Sequence, residues 1–229
     1  MADASPFTPA TFRFLRDLRK NNDRDWFEAN RERYERDVRE PALHFISDFA
    51  KCLRRISPHL IADPRPVGGS LFRIHRDVRF SADKRPYKTH LGIHFRHEVG
   101  RDAHAPGLYL HLEPGDVYAG AGVWRPPRAV LAEIRDALDE SPTAWRRAVS
   151  ARGFAAQWAL SGESLKRVPR GFDPEHPLAD DLKRKEFVAI TGFREREACA
   201  ADFPQRLERA WRATTPFLRF LTGAEGLAF

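Results

Sequence analysis

Apolar residues recur at three- and four-residue spacing through the first quarter of the chain, which predicts helices there. The three predicted starts are Thr8-Pro9, Asn22 or Asp23, and Pro41. At the first of them a hydroxyl that can cap a helix is followed by a proline suited to the first helical turn. Phe12, Leu15 and Leu18 then lie on one face of the predicted helix, which ends near Asn21.

From residue 72 onward the apolar spacing changes to two, which predicts strands that are buried on one face. The predicted strands cover residues 72–80, 89–95, 107–113 and 117–124, with a fifth over residues 187–190. Pro114-Gly115-Asp116 is typical of a tight turn and makes a hairpin of the third and fourth strands. The simplest arrangement of these strands is an antiparallel sheet.

Helical spacing returns after Trp124, with helices predicted over residues 130–138, 145–149 and 204–221. Residues 162–184 are rich in proline, glycine and charge and are predicted to form an ordered surface excursion. The fold class is therefore α+β, with N-terminal helices, a central antiparallel sheet of about four to five strands, and C-terminal helices. A chain of 229 residues without repeat or linker predicts a single domain over residues 1–229.

The composition narrows the classes of function. The formal net charge of +7 is a modest excess for this length and favours anionic partners. Two distant cysteines, Cys52 and Cys199, indicate neither a disulfide framework nor a cysteine zinc site. No apolar run is long enough for a membrane span and no leader is evident, so a cytoplasmic protein without a membrane partner is predicted.

The most unusual stretch is the basic segment, residues 73–88. Its cations are Arg73, Arg76, Arg79, Lys84, Arg85 and Lys88, and its acids are Asp77 and Asp83. In a regular strand over residues 72–80, Arg76 would lie on the apolar face between Ile74 and Val78, where an unpaired charge is costly. Two interpretations stay open: Arg76 joins a structural ion pair, or its guanidinium receives a phosphate or carboxylate.

The ligand interpretation assigns a set of residues to an anion site. The predicted ligand-binding residues are Arg73, Arg76, Arg79, Lys84 and Lys88. The candidate acid–base groups beside them are His75, Asp77 and Tyr87. The absence of a P-loop, a GxGxxG sequence and a GxSxG sequence leaves no cofactor predicted.

The polar face of the predicted sheet is a second constellation. If the alternation holds, one surface carries His75, Asp77, His90, His94, Tyr109, His111 and Glu113, with room for a ligand over Gly92, Gly120 and Gly122. In the alternative, helices cover this face. His90 and His94 are separated by about 13 Å in a strand, so they do not form a helical zinc motif. No metal ligand is assigned, although a cross-strand set of histidines stays open.

The basic segment lies within the string FRIHRDVRFSADKRPYKTHLG. In this string, in GLYLHLEPG and in LKRVPRGFDPEHPLADDLKRKEF, the chain resembles the family catalogued as domain of unknown function 2461. The residues that carry the resemblance are Arg73, Arg76, Asp77, Arg79, Phe80, Asp83, Lys84, Pro86, Tyr87 and Lys88. The resemblance implies a self-standing domain and brings no reaction, cofactor or catalytic residue with it.

Three functions follow from these observations. The first is binding of a small anionic ligand through the basic segment, with enzymatic activity as an extension. The second is a non-catalytic structural or interaction protein in which the basic segment is an internal ion-pair network. The third is nucleic-acid binding, less favoured because no nucleic-acid motif accompanies the basic residues. No oligomeric state is predicted.

Overall fold

Helices from both halves of the chain pack against one face of a five-stranded antiparallel sheet. The computed structural model describes residues 5–100 and 104–229. The helices are α1 (Pro9–Lys20), α2 (Arg24–Ala29), α3 (Arg31–Tyr34), α4 (Glu40–Ile56), α5 (Arg128–Glu140), α6 (Pro142–Ser150), α7 (Arg152–Ala155), α8 (Ala179–Leu182), α9 (Glu195–Ala198), α10 (Phe203–Arg212) and α11 (Thr215–Ala224). The strands are β1 (Leu91–Arg96), β2 (Gly107–Glu113), β3 (Asp116–Val123), β4 (Ala159–Ser161) and β5 (Phe187–Phe193). The predicted α+β class is confirmed.

The first two helices begin where the sequence predicts. The Thr8 hydroxyl accepts a hydrogen bond from the backbone N–H of Ala10, and Pro9 occupies the first helical position. The Asp23 carboxylate accepts from the N–H of Trp26 and caps α2. Both caps satisfy N–H groups that have no partner inside the helix.

The predicted helix from Pro41 corresponds to α4, which begins at Glu40 and has Pro41 in its first turn. The chain is helical without interruption from α3 through a π-helical turn (Glu35–Arg39) into α4, and Pro41 lies just after that turn. Proline has no N–H to donate to the carbonyl four residues earlier, which is that of Asp37. The Thr11 hydroxyl donates to this carbonyl instead, at 2.7 Å. The helix therefore continues through the proline.

The strand order is β1-β2-β3-β5-β4, and all neighbouring strands are antiparallel. The predicted hairpin joins β2 and β3, where Gly115 adopts a φ of +87°. Alternation places Leu108, Leu110 and Leu112 on the face that the helices cover, and all three are fully buried. Side chains at the intervening positions of β2 point to the opposite face.

Aromatic rings join the sheet to the helical layer. The Phe95 ring of β1 lies 5.6 Å from that of Phe49 in α4 and 5.7 Å from that of Trp211 in α10. The Trp211 indole N–H donates to the carbonyl of Gly120 in β3 at 3.1 Å. Farther along the sheet, Trp145 of α6 packs edge-on against Phe187 of β5. This buried layer fixes the sheet from one side and leaves the other side available.

Residues 72–80 do not form the predicted strand. Phe80 is 96% exposed, so the apolar alternation does not face a core. The backbone N–H of Arg79 donates to Asp77 Oδ1 at 3.2 Å, and that of Arg85 donates to Asp83 Oδ1 at 3.1 Å. An aspartate that accepts from the N–H two residues later makes a tight turn. The basic segment is therefore a chain of turns, and Arg76 does not lie on the buried face of a strand.

Three smaller features also differ from the sequence predictions. Strand β4 was not among the predicted strands, and it pairs with β5. The single helix predicted over residues 204–221 is two helices, because the chain turns at Thr214, whose hydroxyl donates to the Trp211 carbonyl at 2.7 Å. Residues 162–184 contain the short helix α8. In the described ranges no helix has the length and apolar character that crossing a membrane requires.

Candidate functional site

The face of the sheet that the helices leave uncovered forms a cleft of about 750 Å³, here called the sheet-face cleft. This volume lies in the range of small-molecule sites, about 300–1,000 Å³. Its lining residues are Phe72, Lys88, His90, His94, Gly107, Tyr109, Asp116, Tyr118, Gly120, Ala121, Gly122, Trp124, Ser161, Gly162, Glu186, Val188 and Ile190. The prediction that this face carries polar side chains is therefore right for His90, His94 and Tyr109. Gly120 and Gly122 line the cleft as predicted, whereas Gly92 does not, because the Tyr109 side chain lies over it.

Glycines of β2 and β3 form the floor of the cleft. Gly107, Gly120 and Gly122 line it, so backbone is exposed where side chains would otherwise fill the space. At Gly122 a side chain is excluded twice, because φ is +125° and an added Cβ would lie 2.0 Å from the Phe187 carbonyl oxygen. At Gly120 an added Cβ would lie 3.5 Å from its nearest neighbour, the Tyr109 Cβ. The fold therefore does not require a glycine at position 120, although the missing side chain deepens the cleft there.

A hydrogen-bonded chain runs along β2 from Tyr109 through His111 to Glu113. The Tyr109 hydroxyl lies 3.2 Å from His111 Nδ1, and His111 Nε2 lies 3.3 Å from Glu113 Oε2. Thr89 and Arg19 donate to the other carboxylate oxygen, Glu113 Oε1, at 2.7 and 2.9 Å. Every second residue of a strand points to the same face, so the spacing of these three residues brings them together.

Burial sets the protonation states of Tyr109, His111 and Glu113. Burial raises the pKa of the Tyr109 hydroxyl well above its usual value, so the phenol is neutral at pH 7. Burial lowers the pKa of His111. For Glu113 burial acts to raise the pKa, but the hydrogen bonds from Thr89 and His111 outweigh it and the pKa is lowered. A neutral imidazole therefore lies between a neutral phenol and a carboxylate.

His90, the residue just before β1, lies beside these three residues. The β1–β2 register pairs Leu91 with Leu112, which brings His90 beside Glu113, and its ring centroid lies 4.4 Å from that of His111. Burial and the nearby His111 lower the pKa of His90 to about 4. His90 is therefore an uncharged imidazole at neutral pH, with an edge that lines the cleft.

Of the five cations predicted to bind a ligand, Lys88 lines the cleft. Its ammonium lies 5.3 Å from the centre of the Phe72 ring and donates to the Arg73 carbonyl at 2.9 Å. Burial and the adjacent charge of Arg73 lower the pKa of Lys88. Across residues 5–100 and 104–229, no carboxylate lies within 4.0 Å of Lys88 or of the Arg73 guanidinium.

The other three predicted cations are engaged within the basic segment itself. Arg76 pairs with Asp83 at 2.6 Å, and Arg79 pairs with Asp77 at 2.7 Å. Lys84 donates to the Val78 carbonyl at 3.0 Å. Neither these three nor Arg73 lines the cleft, so Lys88 is the one member of the predicted set that does so in the described ranges.

The candidate acid–base groups His75, Asp77 and Tyr87 lie outside the cleft lining. Tyr87 is buried, and its ring stacks on that of Phe27 at 4.1 Å. His75 contacts the same two rings. The Arg79 guanidinium lowers the pKa of Asp77 to about 2. These residues stabilise the turns of the basic segment, and their assignment as catalytic groups stays a prediction.

Glu186 is a cleft residue that sequence reasoning missed. Its side chain is buried, its Oε1 accepts from the Glu163 N–H at 3.2 Å, and its Oε2 has no hydrogen-bond partner in the described part of the chain. The sequence carried no clear signal for it, because the residue precedes β5 in the run KRKEF and resembles an ordinary charged loop position.

A comparison with family models matches residues 10–220 to a family described as conserved hypothetical protein (DUF2461). No curated protein matches the chain, and no solved structure does.

Proposed function

Because the chain belongs to the conserved hypothetical protein family DUF2461, whose description names no activity, we propose a function from the geometry of the cleft. The protein binds a small organic anion in the sheet-face cleft, with Lys88 and Arg73 beside the acidic group of the ligand. The observation that carries this proposal is the position of Lys88, a half-buried ammonium that lines the cleft without a carboxylate partner in the described ranges.

The charges at this edge of the cleft favour an anion. Burial, and then the nearby charge of Arg73, lower the pKa of Lys88. Two like charges without a nearby acid create a positive potential, and cleft walls of low dielectric concentrate it. A phosphate or carboxylate would relieve that repulsion. Arg76 and Arg79 are neutralised by aspartates, which argues against the extended row of free cations that a nucleic-acid backbone needs.

The remainder of the cleft suits an organic body. Phe72, Tyr109 and Tyr118 line it with aromatic rings over the glycine floor, and such surfaces bind planar apolar groups. The Tyr109 hydroxyl is hydrogen bonded to His111. This arrangement can exchange a proton with a bound ligand, so we propose enzymatic turnover as an extension of binding.

The test is a thermal-shift and calorimetric titration with phenyl phosphate and benzoate, with phenol as the uncharged analogue and EDTA present throughout. A ligand at 100 times its Kd adds about 2.7 kcal/mol to the free energy of unfolding, which corresponds to several degrees in Tm. We expect a shift with at least one of the two anions and none with phenol. Lys88→Met should abolish it, whereas Lys84→Met, which removes a cation outside the cleft, should retain it.

A second variant locates the binding. Gly120→Val adds a side chain to the cleft floor at a position where the fold has room for a Cβ, so it should fold and lose the ligand. Binding that survives in both Lys88→Met and Gly120→Val would contradict the proposal, as would the lack of any shift with either anion.

A structural role for the rest of the basic segment is the second candidate, favoured by its aspartate–arginine pairs. Asp83 accepts from both Arg76 and Arg85, which closes the loop between them. We expect Asp83→Asn to lower Tm and to leave phenyl phosphate affinity unchanged. A loss of affinity at constant Tm would instead place the anion in this loop.

A further inference from the structure

We propose that His90, His111 and Glu113 form a binding site for a divalent first-row transition metal ion such as Zn²⁺ or Fe²⁺. One ligand atom from each residue lies within 4.8 Å of the others. Two imidazoles and one carboxylate are a recurrent ligand set for such ions and leave coordination positions open for water or substrate. The proposal goes beyond the proposed function and does not depend on it.

The separation of His111 and Glu113 fits two ligands of one ion. His111 Nε2 and Glu113 Oε2 are 3.3 Å apart, whereas an N–H···O hydrogen bond is usually about 2.7–3.2 Å long. Two ligand atoms bonded to one ion at ~2.0–2.1 Å and at the tetrahedral angle lie ~3.4 Å apart. The observed spacing is therefore long for a hydrogen bond and right for coordination.

Neighbouring residues hold both ligands in orientation. The Tyr109 hydroxyl contacts His111 Nδ1, which leaves Nε2 as the nitrogen that faces Glu113. Thr89 and Arg19 hold Glu113 Oε1 and leave Oε2 as the ligand atom. Contacts of this kind to the far side of each ligand are typical of metal sites, because they fix the tautomer and the direction of the lone pair.

His90 supplies the third ligand. Neither of its ring nitrogens forms a hydrogen bond with another residue of the described ranges, and its ring lies against that of His111. Rotation about its side-chain bonds can close the remaining gap to the ion. Because His90 also lines the cleft, an ion held here would border the space in which a ligand binds.

The test is a titration of the full chain with Co²⁺, followed by visible d–d absorption, and displacement of Co²⁺ by Zn²⁺. We expect one ion per chain. His90→Ala and Glu113→Gln should each lower the affinity for Co²⁺ by more than about 100-fold. Loss of a residue that only supports a metal ligand already costs about 10–100-fold. His94→Ala, a histidine of the same cleft outside the set, should bind normally.

Two further variants distinguish metal coordination by these three residues from anion binding and from a purely structural role. Tyr109→Phe, which removes the contact to Nδ1 but no ligand, should weaken metal binding by about 10-fold. Lys88→Met removes a cation that disfavours positive charge at His90 and removes no metal ligand, so it should not weaken metal binding even though it abolishes anion binding. His90→Ala removes no hydrogen bond of the described structure, and its circular dichroism melt should match that of the wild type. The absence of 1:1 binding, or binding that His90→Ala does not weaken, would overturn the proposal.

Discussion

Glu186 shows at the scale of one residue how the wall of a cleft can cost stability. Its side chain is 8% exposed, and its Oε2 lacks a hydrogen-bond partner among the described residues. A buried polar atom without a partner destabilises a fold by about 1–3 kcal/mol. Such an atom in the wall of a cleft is well placed to accept from a ligand, so its cost to the free protein fits a role in binding.

The first prediction concerns this carboxylate. Glu186→Gln keeps the shape and replaces a carboxylate by a neutral amide, whose burial costs less than that of a charge, so we expect the free energy of unfolding to rise by about 1 kcal/mol. Urea denaturation of the two proteins measures the difference. Glu163→Gln is the matched control, because Glu163 is exposed and pairs with Lys185 at the surface. A destabilised Glu186→Gln protein would show that the charge is satisfied in solution.

At the scale of elements, helix α10 supports the cleft floor from below. Trp211 is fully buried, packs against Phe49 and Phe95, and donates to the Gly120 carbonyl. Gly120 faces the helices through its backbone carbonyl and faces the cleft through the missing side chain. One indole N–H from the helical layer thus contacts β3 directly beneath the cleft, in addition to the pairing of β3 with β2 and β5.

The second prediction follows from that contact. Trp211→Phe deletes the donor and leaves a cavity, and we expect a loss of about 2–4 kcal/mol in the free energy of unfolding. Trp124→Phe, at a position 46% exposed, should change it by less than about 0.5 kcal/mol. Chemical denaturation measures both. Equal effects of the two substitutions would contradict the role given to Trp211.

Strands β1, β2, β3 and β5 were predictable from sequence because each has an alternating pattern with a buried face, whereas the three-residue strand β4 was missed. Leu108, Leu110 and Leu112 alternate with Tyr109 and His111, and the structure places the two sets on opposite faces. The same rule placed His90, His94, Tyr109, His111 and Glu113 correctly on one polar face. It was wrong for His75 and Asp77, which lie in the basic segment outside the cleft lining.

The alternation of apolar and polar residues over 72–80 led to a wrong strand prediction, because such a pattern does not show whether a partner strand lies beside it. The signal that should have prevailed is the repeated spacing of Asp and Arg, at Asp63 and Arg65, Asp77 and Arg79, and Asp83 and Arg85. In all three, the aspartate accepts from the N–H two residues later and also pairs with that arginine. Contacts distant in sequence, such as Arg19 with Glu113 or Trp211 with Gly120, left no local pattern at all.

At the scale of the whole molecule, the C-terminus carries a pH-sensitive carboxylate. Glu225 follows α11 and lines a second cavity of about 210 Å³ with His104 and Leu227. Burial, and then repulsion from Glu133, raise its pKa from 4.5 to about 7. The folded state therefore holds a proton between these values that the unfolded chain releases, so stability from this group falls as pH rises from about 4.5 to 7.

The third prediction is that Glu225→Gln removes this dependence. The variant should gain stability over the wild type as pH rises from 4.5 to 7, reaching about 1 kcal/mol once solvent screening is allowed for, and the gain should stay constant above that. Urea unfolding across this pH range measures the difference. Glu133→Gln should reproduce part of the effect by removing the repulsion. A gain independent of pH would show that Glu225 keeps an ordinary pKa.

At the glycine floor, the residues that maintain the fold differ from those that set the shape of the cleft. Residues on the helical face of the sheet maintain the fold, whereas the depth of the cleft at Gly120 depends only on the absence of a side chain. One added methyl group would make the cleft shallower and leave the aromatic layer beneath it unchanged. A substitution at Gly120 can therefore change the depth of the cleft without altering the layer that maintains the fold.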